Sequence, residues 1–404
     1  MRIAVISMDT RGGLQPYLAL AVALRAAGHE VRLVAPSDFR AMSEARGISF
    51  AALSGSVEEV VRRSGGATEK GALASILLAR REIPPRIARW TREVLEACEG
   101  VDLMTGGIGG LVVGEAVAER LGVPFVEAHL QPVGLRVRGL EPLLLPSTPS
   151  VLHGVGHALS DLALWGPFVG PMRLARRELG LAPARPPRAA RARLFALSRH
   201  VVPPVAEAGV HFTGYWTLPA AAWAPPQRLV DFLAAGTPPL CIGFGSMASE
   251  DPARLSELVL AAVRRAGVRA VLLTGWGGLA DVSRDDVLVL DEAPHDWLFP
   301  RVAGVVHHGG AGTTGAALLA GVPALVVPFT MDQPFWARRV HTLGAGPAPV
   351  PRRRLTVELL AARLRALVND VALRARAAEL GAQLRAEGGT QDAVRLLEAL
   401  APRA

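Results

Sequence analysis

The chain has 404 residues, half of them hydrophobic and a fifth charged, with a formal net charge of +8. That length exceeds one hydrophobic core and predicts two domains, and the composition excludes a disordered or collagen-like chain. Lys70 is the only lysine, and no basic block carries interleaved aromatics, so no nucleic-acid partner is expected. Cys98 and Cys241 are the only cysteines, too few for a disulfide framework or a zinc site, which suits a reducing cytoplasm.

Residues 3–7 read as a first buried strand, and Asp9 cuts the apolar run too short for a signal peptide. No stretch resembles a membrane-spanning helix, so membrane contact is at most peripheral. Residues 9–14 read as a glycine-containing loop, with Pro16 placed to start a helix that ends at Gly28 before a second strand at 31–35. The loop thus lies at the carboxyl end of a strand, where open α/β sheets bind ligands. A strand at 101–105, a helix at 110–121 and a strand at 124–128 repeat the pattern. Residues 131–182 are looser: Leu143, Trp165, Phe168 and Met172 supply apolar bulk amid prolines and histidines, and ordinary core under a long loop accounts for them equally well. Residues 185–193, rich in arginine, alanine and proline, read as a solvated loop. Residues 215–239, rich in Pro, Ala and Trp, read as a linker. The second half restarts with a strand at 240–244, a helix capped by Asp251 and ended by Gly267, and strands at 269–274 and 287–290; beyond Thr356 the chain reads as helical.

The most informative stretch is 304–334. A short apolar strand at 302–306 runs into the glycine turn H-H-G-G-A-G-T-T, then a helix opens near Thr313 and closes at Gly321, and a strand follows at 324–327. Gly309, Gly310 and Gly312 let a ligand approach the backbone. The N–H groups of Gly312, Thr313 and Thr314 are expected to point out of the helix start, a place that attracts phosphate. His308 adds a ring N–H and a charge, and Thr313 a hydroxyl. A tight turn alone would explain the glycines; packing does not explain paired histidines beside paired threonines.

Residues 307–314, followed by Asp332-Gln333-Pro334, resemble the donor-binding signature of inverting, nucleotide-sugar-dependent glycosyltransferases with the GT-B fold, in the version of bacterial natural-product and sterol glucosyltransferases. Gly214-Tyr215-Trp216, the segment 243–247, Gly275-Trp276-Gly277-Gly278 and the segment 294–299 match as well, and D-Q-P-F-W-A-R at 332–338 leans toward the sterol branch. The resemblance implies an α/β chain of two Rossmann-like domains facing each other across a cleft. An acceptor domain would span 1–214, a linker 215–239, and a nucleotide-sugar domain 240–404, with terminal helices packing back on the first. It implies transfer of a hexose from a UDP- or dTDP-sugar to a hydroxyl of an apolar polyketide- or macrolide-type molecule, with a sterol or lipid as the alternative acceptor. The nucleotide sugar is then a co-substrate, no cofactor is needed, and the protein is a monomer or homodimer. No Asp-x-Asp motif is present to hold a metal.

Residue by residue, the resemblance assigns phosphate contacts to His308, Gly310, Gly312, Thr313, Thr314 and Ser246, and sugar hydroxyls to Asp332 and Gln333. Thr10, Gly12 and His295 join the donor set, with Trp297 or Trp276 beside the base. His129, Trp165 and Phe168 fall in the acceptor region. A helix cap before Pro334 is the lesser alternative for Asp332, and core packing would suit both tryptophans equally well.

One piece is displaced. The loop after the first strand in this family ends in Arg-Gly-Asp, whose aspartate is the general base, whereas this chain has Thr10-Arg11-Gly12-Gly13. Gly13 cannot accept a proton. Asp9, four residues earlier where the family carries glycine, is the favoured replacement. Glu127, His129, His153 and His157 are the other candidates, and a non-catalytic nucleotide-sugar binder or an epimerase of the same fold are the rival readings. His29, just after Gly28, is expected to be structural.

Overall fold

The computed structural model describes residues 1–56, 59, 77–78, 80–137, 139–183, 192–218, 223–245, 251–274 and 284–400. They form two compact units. The first comprises Met1–Arg63, Ile76–Leu218 and Glu387–Ala404, and the second contains Pro219–Ala386.

The first unit is built on a wholly parallel sheet of β1 (Arg2–Ile6), β2 (Glu30–Pro36), β3 (Ser49–Leu53), β4 (Leu103–Gly106), β5 (Phe125–His129), β6 (Arg193–Phe195) and β7 (Val210–Phe212), in the order β3-β2-β1-β4-β5-β6-β7. Parallel strands need helical crossovers, which cover both faces of the sheet. Ala4, Val5 and Ile6 are accordingly sealed from solvent. The helix Arg11–Ala26 covers one face through Leu14, Leu18 and Leu24. Ile108–Leu121 covers the other through Val113 and Val117. The last helix, Thr390–Leu400, packs on Arg11–Ala26 with Ala393 and Leu397 buried, and His29 Nε2 meets Glu398 Oε1 at 3.0 Å. His29 is therefore a tie between the chain's two ends.

The second unit carries a parallel sheet of β8 (Leu240–Gly243), β9 (Ala270–Leu273), β10 (Val287–Leu290), β11 (Gly304–His307) and β12 (Ala324–Val326), ordered β10-β9-β8-β11-β12. Asp251 caps the helix Pro252–Ala266 by accepting from the Arg254 amide at 2.9 Å, and Gly267 ends it in the left-handed region. In both sheets the strand order reverses beside the first strand of the unit: between β1 and β4, and between β8 and β11. Ligands of open α/β sheets bind outside the carboxyl ends at such switch points.

Three elements differ from the sequence reading. The first helix starts at Arg11 rather than near Pro16, so Gly12 and Gly13 lie in its first turn. Glycine and proline disfavour helix locally, but burial of Leu14, Tyr17 and Leu18 overrides propensity. The looser stretch contains a 26-residue helix, His153–Glu178, with Pro167 and Pro171 inside it and both buried. Residues 215–239 are not a bare linker: Trp216 sits in the first core at 4% exposure, and Gln227–Ala234 is a helix of the second unit. Among the described residues, no helix is long and apolar enough to cross a membrane.

Candidate functional site

At the switch point of the second sheet, β11 ends at His307 and the helix Ala311–Ala320 begins after Gly310 as N-cap. The helix therefore opens two residues before the expected Thr313. The Thr314 amide and hydroxyl both donate to the Gly310 carbonyl, each at 2.9 Å, and Thr314 is buried. This corrects one expectation, because Thr314 closes the turn rather than facing outward. The amides without intrahelical acceptors are those of Ala311, Gly312 and Thr313, aligned with the positive end of the helix.

His307 and His308 part ways. His307 is fully buried, and its Nδ1 accepts the Gly309 amide at 3.0 Å, so it braces the turn. The His308 ring is seated between two glycine turns at the ends of β8 and β11. A Cβ on Gly310 would stand 2.6 Å from its Nε2, and one on Gly245 would stand 3.2 Å from its Cε1. Burial, with His295 nearby, lowers the His308 pKa to about 4. The ring is thus neutral at pH 7, which corrects the expectation of a charge. His307 Nε2, His308 Nδ1 and Thr330 Oγ1 are buried here with no hydrogen-bond partner among the described residues.

The loop after β12 meets this turn. Gly309, at φ 95°, has no room for a side chain: a Cβ there would stand 2.6 Å from Val326 Cγ1, 3.1 Å from the Gln333 carbonyl oxygen and 3.3 Å from the Gln333 Cβ. The structure thus brings the glycine turn and Asp332-Gln333 together. Met331, immediately before them, holds φ 55°, a left-handed conformation that costs energy outside glycine and clusters at ligand sites. Asp332 stands at the N-cap position of the helix Gln333–Thr342, but its side chain caps no helix amide. Its Oδ2 accepts the Trp336 indole N–H at 2.8 Å instead. Burial pushes the Asp332 carboxyl up to about 6, and the indole bond opposes that. Gln333 is buried, and its Oε1 accepts the amides of Phe329 and Thr330 at 2.8 and 3.1 Å, stapling the loop.

His295 stacks on Phe299 with ring centroids 4.4 Å apart. Trp297 has Arg301 over its ring at 4.2 Å and meets Trp223 edge-on at 5.1 Å, so one face of the indole is taken. Ser246 and Trp276 lie outside the described residues.

In the first unit, the loop after β1 holds Asp9, Thr10 and Gly12. Thr10 is the N-cap of the helix Arg11–Ala26 without a side-chain cap bond, and a Cβ on Gly12 would meet no described residue within 4 Å beyond its own helix. Asp9 Oδ2 accepts the Ser7 hydroxyl at 2.9 Å. Burial pushes the Asp9 carboxyl above its usual range, and the Ser7 bond partly restrains it. At the end of β5, His129 is 2% exposed, with Nε2 on Glu127 Oε2 at 2.7 Å and Nδ1 buried without a partner among the described residues. His153 and His157 meet the backbone carbonyls of Thr148 and Leu140, each at 3.1 Å, which makes both structural. Phe168 packs against the core, with Trp165 edge-on to it at 6.4 Å. The outer face of their helix is apolar too: Val155, Leu159 and Leu162 are 59, 50 and 68% exposed. Sequence reasoning assigns no site role to Ser7, or to Gly245 and Trp336 within their matching segments; the i, i+4 spacing of Asp332 and Trp336 on one helix face was the available signal for the last.

Two family models match the chain: the Glycosyltransferase family 28 N-terminal domain over residues 3–132, and the Erythromycin biosynthesis protein CIII-like C-terminal domain over residues 276–400. The chain is 34% identical to the O-mycaminosyltylonolide 6-deoxyallosyltransferase of Streptomyces fradiae, over 98% of this chain and 97% of that protein. It is 32% identical to a sterol 3-beta-glucosyltransferase of Neurospora crassa, again over 98% of this chain but spanning only 27% of that longer protein. Among solved structures, a glycosyltransferase from Streptomyces sp. SF2575 complexed with thymidine diphosphate superposes with a TM-score of 0.64 at 25% identity, over 99% of both chains.

Proposed function

Since the chain belongs to the GT-B glycosyltransferase family, we propose that it moves a hexose from a UDP- or dTDP-sugar to a hydroxyl of an apolar small molecule, with inversion and without a metal. The observation that carries this reading is the corner at the β8/β11 switch point, where three helix amides without intrahelical acceptors lie beside the neutral His308 ring and buried polar atoms that have no partner among the described residues. Buried polar groups without partners call for an explanation, and a diphosphate supplies one. As the bond between the anomeric carbon and the diphosphate breaks, charge grows on the leaving oxygens. Fixed dipoles aimed there contribute about 10²–10³-fold each. Asp332, aligned by the Trp336 indole, accepts from sugar hydroxyls.

The acceptor is assigned to the first unit, with Asp9 as the group that takes its proton. A helix apolar on its outer as well as its inner face, as in His153–Glu178, supports an apolar aglycone. A macrolide- or polyketide-type acceptor is the first choice, in line with the Streptomyces fradiae relative, and a sterol or related lipid is the second. The test is a thermal-shift screen of UDP, dTDP and their hexoses on wild type and His308→Ala, followed by assay of nucleoside diphosphate release with O-mycaminosyltylonolide and cholesterol as acceptors. Stabilisation of wild type that is lost in the variant, together with acceptor-dependent release, is the expected result. Absence of both overturns the reading.

A further inference from the structure

We propose that Ser7, Asp9 and Gly13 act as one unit in which the proton-accepting carboxylate is carried from position 9 into the space of a missing side chain at position 13, with Ser7 as its positioning residue. The inference rests on the transferase reading above and specifies how its proton is removed.

The geometry is steric first. A Cβ on Gly13 would stand 2.6 Å from the Asp9 Cβ, 3.1 Å from its Cγ and 3.4 Å from its Oδ1. Real Cβ atoms do not approach so closely, so the Asp9 side chain fills the volume into which any residue at 13 would grow. The two positions exclude one another: a side chain at 13 displaces Asp9, and Asp9 needs glycine at 13. The start of the helix at Arg11 brings this about, because it turns position 13 back over the end of β1. The Gly13 amide bonds the Thr10 carbonyl at 2.9 Å, which fixes that turn.

The second observation is the hydrogen bond. Ser7 is fully buried, and its hydroxyl engages Oδ2 of Asp9 at 2.9 Å. That bond fixes the carboxylate rotamer and leaves Oδ1 as the basic oxygen. Below Asp9, the Tyr17 hydroxyl is committed to the Ala128 carbonyl at 2.7 Å, and its ionisation is pushed far up by burial and by the Asp9 charge. Tyr17 therefore does not compete as a base. In the reaction, Oδ1 takes the proton of the acceptor hydroxyl while that oxygen bonds the anomeric carbon. The bond from that carbon to the diphosphate breaks, the diphosphate leaves with the electron pair, and Asp9 later returns its proton to solvent.

Two readouts test this. The first is a stability cycle that needs no substrate. Gly13→Ala lowers Tm by several degrees in the wild-type background and has little effect in the Asp9→Gly background; equal losses in both overturn the steric exclusion. The second is turnover with UDP-glucose or dTDP-glucose and O-mycaminosyltylonolide or cholesterol. Asp9→Asn loses about 10²–10⁴ in kcat while UDP and dTDP affinities stay unchanged. The double exchange Asp9→Gly/Gly13→Asp regains at least tenfold over Asp9→Gly. Ser7→Ala lowers kcat with donor KM unchanged and moves the acidic limb of the kcat–pH profile upward, because the bond that restrained the Asp9 pKa is gone. A purely structural serine would leave that limb in place. Near-full turnover by Asp9→Asn, or an unmoved limb in Ser7→Ala, overturns the proposal while the transferase reading stands. A wild type that neither binds UDP or dTDP nor transfers overturns both.

Discussion

Nε2 of His308 lies 2.6 Å from the point where a Cβ on Gly310 would stand. The atom in the way is the far end of a side chain, so Gly310→Ala is accommodated by swinging the imidazole out of its seat. The expected outcome is a loss of at least about tenfold in UDP or dTDP affinity, the size of one charge-assisted hydrogen bond, with a small change in Tm. Adding His308→Ala to Gly310→Ala weakens binding little further. Calorimetric titration of the two single variants and the double variant checks this, and additive losses would refute the shared seat.

Acid stability should split between His308 and Asp332. His308 has a folded pKa of about 4 against an ordinary 6.5, so its share of stability is complete above 6.5 and disappears as the pH falls to 4. Asp332 has a folded pKa of about 6 against an ordinary 3.8, so the folded chain binds its proton more tightly and gains stability as the pH falls through the same window. The two oppose each other between pH 6 and 4. Asp332→Asn is expected to lose stability more steeply than wild type between pH 7 and 5, and His308→Gln less steeply. Urea unfolding at the two pH values measures both slopes.

The paired threonines should separate cleanly. Thr314→Val removes a hydroxyl that bonds the Gly310 carbonyl inside a buried turn, at a cost of about 1–2 kcal/mol. Thr313→Val leaves that turn intact, so its effect appears in donor affinity and not in Tm. Thermal melts and UDP titrations of both variants decide the matter, and a Tm loss confined to Thr313→Val would reverse the assignment.

Glycines in the first unit differ in what they make room for. A Cβ on Gly106 would stand 2.6 Å from the backbone oxygen of Ile6, which cannot yield, so Gly106→Ala should cost about 1–3 kcal/mol or more. Nothing lies within 4 Å of a Cβ on Gly166, inside the helix His153–Glu178, so Gly166→Ala should stabilise by roughly 0.5–1 kcal/mol. Chemical denaturation of the two variants gives the signs directly.

Much of this architecture was readable from the chain. Runs such as Ile3 to Ile6 and Val287 to Leu290 are apolar, short and rich in Val and Ile, which is how strands buried on both faces read. The glycine turn and Asp332-Gln333 were legible as chemistry, since charge and backbone freedom are written in residue types. Their contact through Gly309 was not, because it depends on how the loop after β12 folds back. The charge of His308 was misread for the same reason: the pKa is set by burial, which one-dimensional pattern does not carry. Pro16 misled as a helix start and the prolines of residues 131–182 hid a helix, because packing of Leu14, Tyr17 and Ala175 outweighs a lost amide bond. Gly13 showed that something was absent, and the backbone shows what fills its place.

The tie between His29 and Glu398 joins residues 369 apart in the chain. A ribosome releases the amino end first, and domains ordinarily fold in that order. Here the helix Arg11–Ala26 waits for Thr390–Leu400 before its outer face is covered, whereas Pro219–Ala386 has emerged whole by then. The later-coded unit is thus free to fold first. Nascent chains halted before residue 390 should leave the face of Arg11–Ala26 that meets Thr390–Leu400 open to chaperones.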